Sequence, residues 1–329
     1  MANNRVSFDD PTLSDLLDRW LEHITGLGRS ATTLYHYRQY VDREIVPVLG
    51  GIRLSKLSTL EIDALYTKPR KRGLAPATIR QIHAILRASL NQAERWGLVQ
   101  RNVAKLASAP SQPQREQHPP SIAAVRALMT AATALDPLFG LFIRVMVATG
   151  ARRAEVCGLR WSDVDFVAGT LDVSRSYTVL PGSRGHSPTK SRSARTVMLD
   201  PDTVAVLDLG WAEAERLSSM CGLSSEQRRS GYIFAMDPTG QRAWRPDSAN
   251  ARWARTQVAA GVRASVRLHD LRHFQATQLL DAGVPGPTVA ARLGHADGTT
   301  TMPKIYAHRT QPADQQAADI VVKLLGDAG

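Results

Sequence analysis

Apolar residues recur at helical spacing through the first hundred positions of the chain. The first such stretch follows Thr12 and ends near Gly26, with one face made of Leu13, Leu16, Leu17, Trp20, Leu21 and Ile24. A second pattern runs from Ser30 to the residues before Pro47. The run Ser58–Glu61 has capping-box spacing ahead of a short helix to about Tyr66, and the longest pattern spans Pro76 to Trp96. These patterns predict a compact helical domain over residues 1–106.

A proline-rich segment with few apolar residues, LASAPSQPQREQHPPS, follows this domain. Its composition predicts a semi-extended linker over residues 107–121. The remainder, 122–329, predicts a second domain that is mainly α-helical with a small β-sheet. Helices are expected at 122–133, 137–149, 152–159, 201–218, 247–260, 269–282 and 286–293, and strands at 171–178, 192–199 and 232–236. The strands 171–178 and 192–199 are expected to form one hairpin around the loop PGSRGHSP, and an amphipathic helix is expected over 317–325.

The charge of the chain narrows the class of partner. Lys and Arg outnumber Asp and Glu by 41 to 30, for a net charge of +11. Both predicted domains share the excess, since 16 basic and 10 acidic residues precede residue 110. This balance favours a polyanion such as nucleic acid, although a merely soluble basic protein has the same charge. No membrane segment or signal peptide is recognisable, so a bacterial cytosolic or nucleoid location is expected.

A chemically rich stretch lies near the end of the sequence. Within about forty residues it collects His269, Arg272, His273, His295, Tyr306 and His308. A tyrosine can act as a nucleophile, histidines as acids or bases, and the guanidinium fork suits an anionic centre such as a phosphate. By contrast, Cys157 and Cys221 lie in helical stretches and indicate neither a disulfide nor a metal site.

Three motifs together resemble the tyrosine recombinases, the phage integrase family. They are H-x-x-R-H at 269–273 followed by L-G-H and a late tyrosine, T-G-A-R-R-A-E at 149–155, and T-K-S-R-S-A-R-T-V at 189–197. Each motif alone is weak evidence, and the three in this order are strong. The resemblance covers residues 10–310 and implies a minimal form, an N-terminal core-type DNA-binding domain and a catalytic domain closing around DNA, without an additional arm-binding domain.

The resemblance also implies a role for each residue of the motifs. Tyr306 would attack the phosphodiester, Lys190 would protonate the leaving oxygen, and His269 would exchange the tyrosine proton. Arg152 and Arg272 would hold the non-bridging oxygens, with His295 as a further donor. Glu155 and His273 are expected to buttress these groups. No metal and no cofactor are expected.

Two of these assignments have an alternative, and one spacing departs from the pattern of the family. Arg153 is the rival of Arg152, although the T-G-x-R register favours Arg152. His269 and His273 are four residues apart on a predicted helix, the spacing of a zinc pair, but Asp270 replaces the glutamate of the metalloprotease motif. The departure is the spacing of eleven positions from His295 to Tyr306, with Pro303 three residues before the tyrosine, where it would end or kink a helix.

DNA contacts are expected from basic and polar side chains of both domains. On a solvent-exposed helix such residues could simply be surface residues in contact with water. The family resemblance of the chain favours contact with DNA phosphates instead. The candidates are Arg29, Ser30, Thr32, Tyr35, Arg38, Lys68, Arg70, Lys71, Arg72, Thr78, Arg80, Gln81, Arg87, Arg192 and Arg195. The last two are expected as DNA-backbone contacts or as the surface of a strand.

The sequence therefore predicts a site-specific recombinase that acts through a 3′-phosphotyrosine and a Holliday junction. Its expected partners are double-stranded recombination sites, three further copies of itself engaged through the C-terminal helix, and an accessory DNA-bending or directionality protein. Packing of that helix on its own domain is the alternative. Phage or prophage integration is the expected use. Xer-like dimer resolution, transposon recombination and a DNA-binding relative without catalysis are the alternatives.

Overall fold

The chain folds as two compact units, Met1–Glu116 and Gln117–Gly329. A computed structural model describes residues 10–111, 119–181, 183–188, 194–262 and 266–294; for 68–71 and 183–188 it describes the backbone. Both units are mainly α-helical, and the second also contains a small three-stranded sheet and a two-stranded hairpin. The predicted fold class is confirmed.

The first unit is a helical bundle. Its helices are α1 Leu13–Gly26, α2 Ala31–Tyr40, α3 Val46–Leu49, α4 Thr59–Lys71 and α5 Pro76–Arg95. The predicted apolar face of α1 is buried, and it packs with the buried face of α5 in one core. Helix α1 begins with a capping box, in which the Thr12 amide donates to the Asp15 carboxylate at 2.9 Å.

Two boundaries in this unit differ from the prediction. Pro47 does not end the helical path. A π-helical turn over Val41–Ile45 precedes it, and Pro47 then lies in the first turn of α3, where its missing N–H leaves no bond unmade. Helix α4 begins after Ser58, whose amide donates to the Glu61 carboxylate at 2.7 Å as half of the expected capping box, but it continues five residues beyond Tyr66, to Lys71.

The second unit contains eight helices in its described part. They are α6 Ile122–Leu135, α7 Pro137–Thr149, α8 Arg153–Cys157, α9 Pro201–Ser219, α10 Ser225–Arg229, α11 Pro246–Ala259, α12 Leu268–Asp281 and α13 Gly286–Leu293. Helix α10 was not predicted, and the others lie where the apolar patterns place them. The core gathers around α7, whose Phe139 and Phe142 are buried with Trp161, Phe234 and Trp244.

The strands correct the predicted hairpin. The described strands are β1 Val164–Asp165, β2 Thr170–Val173, β3 Arg175–Leu180, β4 Ser183–Pro188 and β5 Arg195–Met198. The segment predicted as a loop contributes β4, which pairs antiparallel with β3, while β2 lies between β1 and β5. The predicted strand at 232–236 makes isolated bridges instead, from Tyr232 to Arg160 and from Ala235 to Ala243.

Candidate active site

The segment Thr149–Arg152 turns the chain sharply between α7 and α8. The Thr149 hydroxyl donates to the Val145 carbonyl at 2.6 Å and accepts the Ala151 amide at 3.1 Å, so it satisfies groups at the end of α7. Gly150 ends the helix with φ of 63°, in the left-handed region. The T-G-A-R sequence is therefore a helix stop followed at once by a helix start.

Arg152 occupies the N-cap of α8, and Glu155 holds it there. The Arg152 amide donates to Glu155 Oε2 at 2.9 Å, and Arg152 Nη1 donates to Oε1 at 2.8 Å. The carboxylate side chain is 2% exposed, whereas the Arg152 side chain is 29% exposed. Glu155 thus anchors one guanidinium nitrogen of Arg152, as the predicted buttress would, and Arg153 does not take part in these bonds.

Arg272 reaches the same turn from the first part of α12. Its Nη1 donates to the Gly150 carbonyl at 2.6 Å. The residue is 3% exposed, and its Nη2 is buried without a hydrogen-bond partner among the described residues. Burial, together with the charges of Arg152 and Arg195, lowers the pKa of Arg272 to about 9, so the group is protonated at pH 7. A buried cationic donor in this state is suited to an anionic ligand.

His269 lies one turn before Arg272 on α12. Its ring makes an edge-to-face contact with His273, with centroids 4.9 Å apart. Partial desolvation, with the charges of His273, Arg272 and Arg152, lowers the pKa of His269 below its ordinary 6.5. The ring is solvent-accessible and neutral at pH 7. It can therefore accept a proton, and the site brings it close to both predicted phosphate-binding arginines.

Arg195 corrects one expectation. It was expected to contact DNA or to lie on a strand surface, but its side chain is 7% exposed at the start of β5. Its Nη2 donates to Glu155 Oε2 at 2.9 Å, and its Nε donates to the Arg292 carbonyl at 2.7 Å. The site therefore contains a third arginine beside Glu155 that the sequence did not assign there. Arg292 and Gln275, both bonded to the Ala148 carbonyl, were also missed.

Several predicted residues lie outside the described residues. These are Lys190, Arg192, His295, Tyr306 and Pro303, together with the proposed C-terminal helix. Within the described ranges, no three His, Cys, Asp or Glu side chains are grouped as a metal site requires. Nor is any helix in those ranges both apolar and long enough to cross a membrane.

The candidates for DNA contact in the first unit lie mostly on α2 and α5. Helix α2 buries none of its residues, and Arg29, Arg80 and Arg87 are exposed. Some candidates already have protein partners: Ser30 caps α2 through the Thr33 amide, Arg38 pairs with Asp18, and Arg80 donates to the Pro110 carbonyl.

Arg72 is exposed and pairs with the buried Glu44. The half-buried candidates are Thr32, Tyr35, Thr78 and Gln81; of Lys68, Arg70 and Lys71 only the backbone is described.

The arrangement of Arg152, Glu155, Arg272 and His269 can be compared with known proteins. Residues 123–312 match the model of the phage integrase family, and residues 12–69 match the N-terminal SAM-like domain of phage integrases. The chain belongs to the phage integrase family. The resemblance seen in the three sequence motifs is therefore confirmed.

Similar chains from bacteria extend over most of this one. A tyrosine recombinase XerC-like protein of Caldanaerobacter subterraneus subsp. tengcongensis is 27% identical, over 92% of this chain and 81% of the relative. An integrase of Streptomyces ambofaciens is 28% identical, over 94% of this chain and 79% of the relative. The family relationship thus includes both units.

Solved structures share the fold. A Tn1549 transposon integrase in complex with transposon right end DNA superposes with a TM-score of 0.79 at 16% identity, covering 94% of this chain and 99% of that one. A lambda integrase tetramer bound to a Holliday junction gives a TM-score of 0.69 at 20% identity, covering 90% and 78%. At these identities the likeness concerns the fold of the polypeptide.

Substitution of Gly150 tests the geometry of the turn. A Cβ at this position would collide with Gln275 Oε1 and Leu293 Cδ2, in addition to the left-handed backbone strain. Gly150→Ala is expected to lower the free energy of unfolding by the strain of about 1–2 kcal/mol and by about 1–3 kcal/mol more from the overpacking. Chemical denaturation measures the sum of the two contributions.

Gly261→Ala is the matched control for this substitution. Gly261 has nearly the same φ, +62°, and a Cβ there would meet no described atom within 4 Å. It should lose only the backbone contribution, about 1–2 kcal/mol. Equal losses in the two variants would contradict the packing of Gln275 and Leu293 around the turn.

Proposed function

We propose that this chain is a site-specific recombinase that cleaves and rejoins DNA strands in the bacterial cytosol through a covalent 3′-phosphotyrosine at Tyr306. The observation that carries the proposal is the convergence of Arg152, Arg272 and His269 from two separate segments. Three guanidinium groups, counting Arg195, are gathered around the single carboxylate of Glu155. The excess of positive charge matches a phosphodiester, whose charge increases in the pentacovalent transition state.

The proposed reaction is an in-line exchange of oxygen atoms at phosphorus. The Tyr306 oxygen forms a bond to phosphorus while the bond to the 5′ oxygen breaks, and no bond energy is lost to water. His269, neutral at pH 7, accepts the phenol proton. Lys190 donates a proton to the departing 5′ oxygen. Attack by a 5′-hydroxyl of another strand reverses each of these steps and joins the strands.

The two arginines would bind the non-bridging oxygens, with His295 as a further donor. Each described guanidinium has one nitrogen bonded to the protein, Arg152 to Glu155 and Arg272 to the Gly150 carbonyl. The fork of an arginine carries further donors that can reach a second partner in the same plane. This supports a role in which both groups are held in place before DNA arrives, as electrostatic catalysis requires.

A trapped covalent adduct tests the proposed chemistry. Duplexes selected by the full-length protein from a random-sequence library, each nicked at successive positions, let the short 5′-hydroxyl strand diffuse away after cleavage. Wild-type protein is expected to form a covalent adduct with one of these nicked duplexes, seen as a shifted band in denaturing electrophoresis.

The control for that experiment is Tyr306→Phe, which removes one oxygen. This variant should bind the same duplex and form no adduct, because it lacks the nucleophile. If wild-type protein binds the selected duplexes and none of the nick positions yields an adduct, the chain is instead a DNA-binding relative without catalysis.

We also propose that four copies act together on two duplexes, engaged through the C-terminal helix predicted at 317–325. The apolar stripe of that segment, which includes Ile320, Val321, Leu324 and Leu325, supports this, because such a stripe needs a partner surface. Light scattering of the protein on a synthetic four-way DNA junction should give the mass of four chains. Truncation before residue 317 should reduce it, while an unchanged mass would favour packing of the helix on its own domain.

Phage or prophage integration is the use that we propose for this chemistry, with an accessory DNA-bending or directionality protein as a further partner. Similarity to an integrase over 94% of the chain supports it. The genes beside the coding sequence provide the test. Phage genes are expected there, whereas genes for conjugation or transposition would support a transposon recombinase, and housekeeping genes would support dimer resolution.

A further inference from the structure

Arg195, the first residue of β5, has a buried side chain. That side chain is 7% exposed, and two of its nitrogens donate to groups on two helices. One is the Glu155 carboxylate on α8, at 2.9 Å, and the other is the main-chain carbonyl of Arg292 on α13, at 2.7 Å. Glu155 is 40 residues away in the sequence and Arg292 is 97 residues away. Arg195 therefore links three segments that are distant in the chain.

Each of these segments lies next to a residue of the proposed reaction in the sequence. Arg152 is the N-cap of α8. In the sequence, Lys190 comes five residues before Arg195, and His295 comes three residues after Arg292. Arg292 strengthens the link, because its Nη2 donates to the Ala148 carbonyl at 2.8 Å and to the Met198 carbonyl at 3.0 Å.

Glu155 lies between two arginines that differ in exposure. Its Oε1 accepts Arg152 Nη1, and its Oε2 accepts both the Arg152 amide and Arg195 Nη2. Burial raises the pKa of Glu155, but the charge of Arg195, followed by that of Arg152, lowers it below the ordinary value. Arg195 thus lowers the pKa of the buried carboxylate more than Arg152 does. Arg152, the more exposed partner at 29%, is the one that can reach a ligand.

We propose that Arg195 is a positioning residue for strand cleavage. Through Glu155 it fixes the guanidinium of Arg152, and through the carbonyl of Arg292 it holds the strand that follows Lys190 against the helix that precedes His295. The inference rests on the proposed function, because it concerns the same phosphate site. Its role differs from that of Arg152 and Arg272, since it acts on the phosphate only through the groups that it holds.

The geometry requires an arginine at this position. The two acceptors lie on different helices, and Arg195 reaches them with Nε and Nη2, two nitrogens of one rigid plane. A lysine has one nitrogen on a flexible stem and does not reproduce that fork. Arg195→Lys keeps the charge beside Glu155 and removes the second link, whereas Arg195→Gln removes the charge as well.

The experiment compares Arg195 with an ion pair of the same unit that involves other residues. Arg175 on β3 donates to the buried carboxylate of Asp163 at 2.7 and 2.9 Å. Arg195→Lys and Arg195→Gln are therefore matched with Arg175→Lys and Arg175→Gln. For each variant, the affinity for the selected duplex and the melting temperature report folding. The rate of adduct formation at saturating protein reports the chemical step.

We expect the Arg195 variants to bind DNA as the Arg175 variants do and to form the adduct about 100-fold more slowly, the effect of a small displacement of a reacting group. The second readout uses the same duplex with a methylphosphonate at the cleaved position. This group lacks the negative charge that Arg152 neutralises, so the rate loss relative to wild-type protein should shrink on it. A loss due to partial unfolding would be equal on both duplexes.

A double substitution separates action through Glu155 from an independent effect. If Arg195 acts through Glu155, Arg195→Gln combined with Glu155→Gln should cleave about as slowly as the slower single variant, because residues in one network are not additive. If the glutamine variants melt below the assay temperature, the rates of adduct formation of the two lysine variants test the proposal alone. These variants keep the positive charge beside the carboxylate.

Equal cleavage rates for the Arg195 and Arg175 variants would overturn the proposal, as would an equal loss on the phosphate and methylphosphonate duplexes. In either case wild-type protein would still form its adduct with Tyr306. Failure of this inference is therefore distinct from failure of the proposed recombinase.

Discussion

The structure of the site depends on holding several like charges close together inside a protein. Arg152 and Arg195 both bond to one carboxylate, Glu155, and Arg272 feels the charge of the same group. Like charges in a buried place repel strongly. The end of α7 offsets part of this cost. Its last carbonyls carry the negative end of the helix dipole, and they accept bonds from the arginines: Gly150 from Arg272 and Ala148 from Arg292. A helix terminus and a single glutamate thus stabilise a cationic site.

The compensation within the described part of the protein is incomplete, and this has a functional meaning. Arg272 Nη2 and Arg195 Nη1 are buried donors without a partner among the described residues. A buried donor that makes no hydrogen bond lowers the free energy of unfolding. For Arg272, which we propose to contact the phosphate, a bound phosphodiester would supply the missing acceptor and so would stabilise the unit that binds it.

Local patterns predicted what depends on local sequence. The amphipathic face of α1, the extent of α7 up to Thr149 and the start of α4 after Ser58 are all short-range features. The sequence predicted a loop over Ser183–Pro188, because a glycine, serines and a proline are typical of loops. The segment forms β4 instead, because it pairs with β3. The link from Arg195 to Glu155 spans 40 residues, so no periodic pattern could reveal it.

The preference for arginine over lysine in the described site follows from the contacts. Arg152 gives Nη1 to Glu155, Arg272 gives Nη1 to the Gly150 carbonyl, and Arg195 gives Nε and Nη2 to two acceptors. Arg152 and Arg272 are each fixed by one nitrogen of a rigid fork, and Arg195 is fixed by two. The plane of the guanidinium then sets the position of the remaining nitrogens. A lysine that made the anchoring bond would have no second, fixed nitrogen to present. In Arg152 and Arg272, a single side chain can therefore combine an anchoring bond with the proposed contact to the phosphate, which a lysine does not permit.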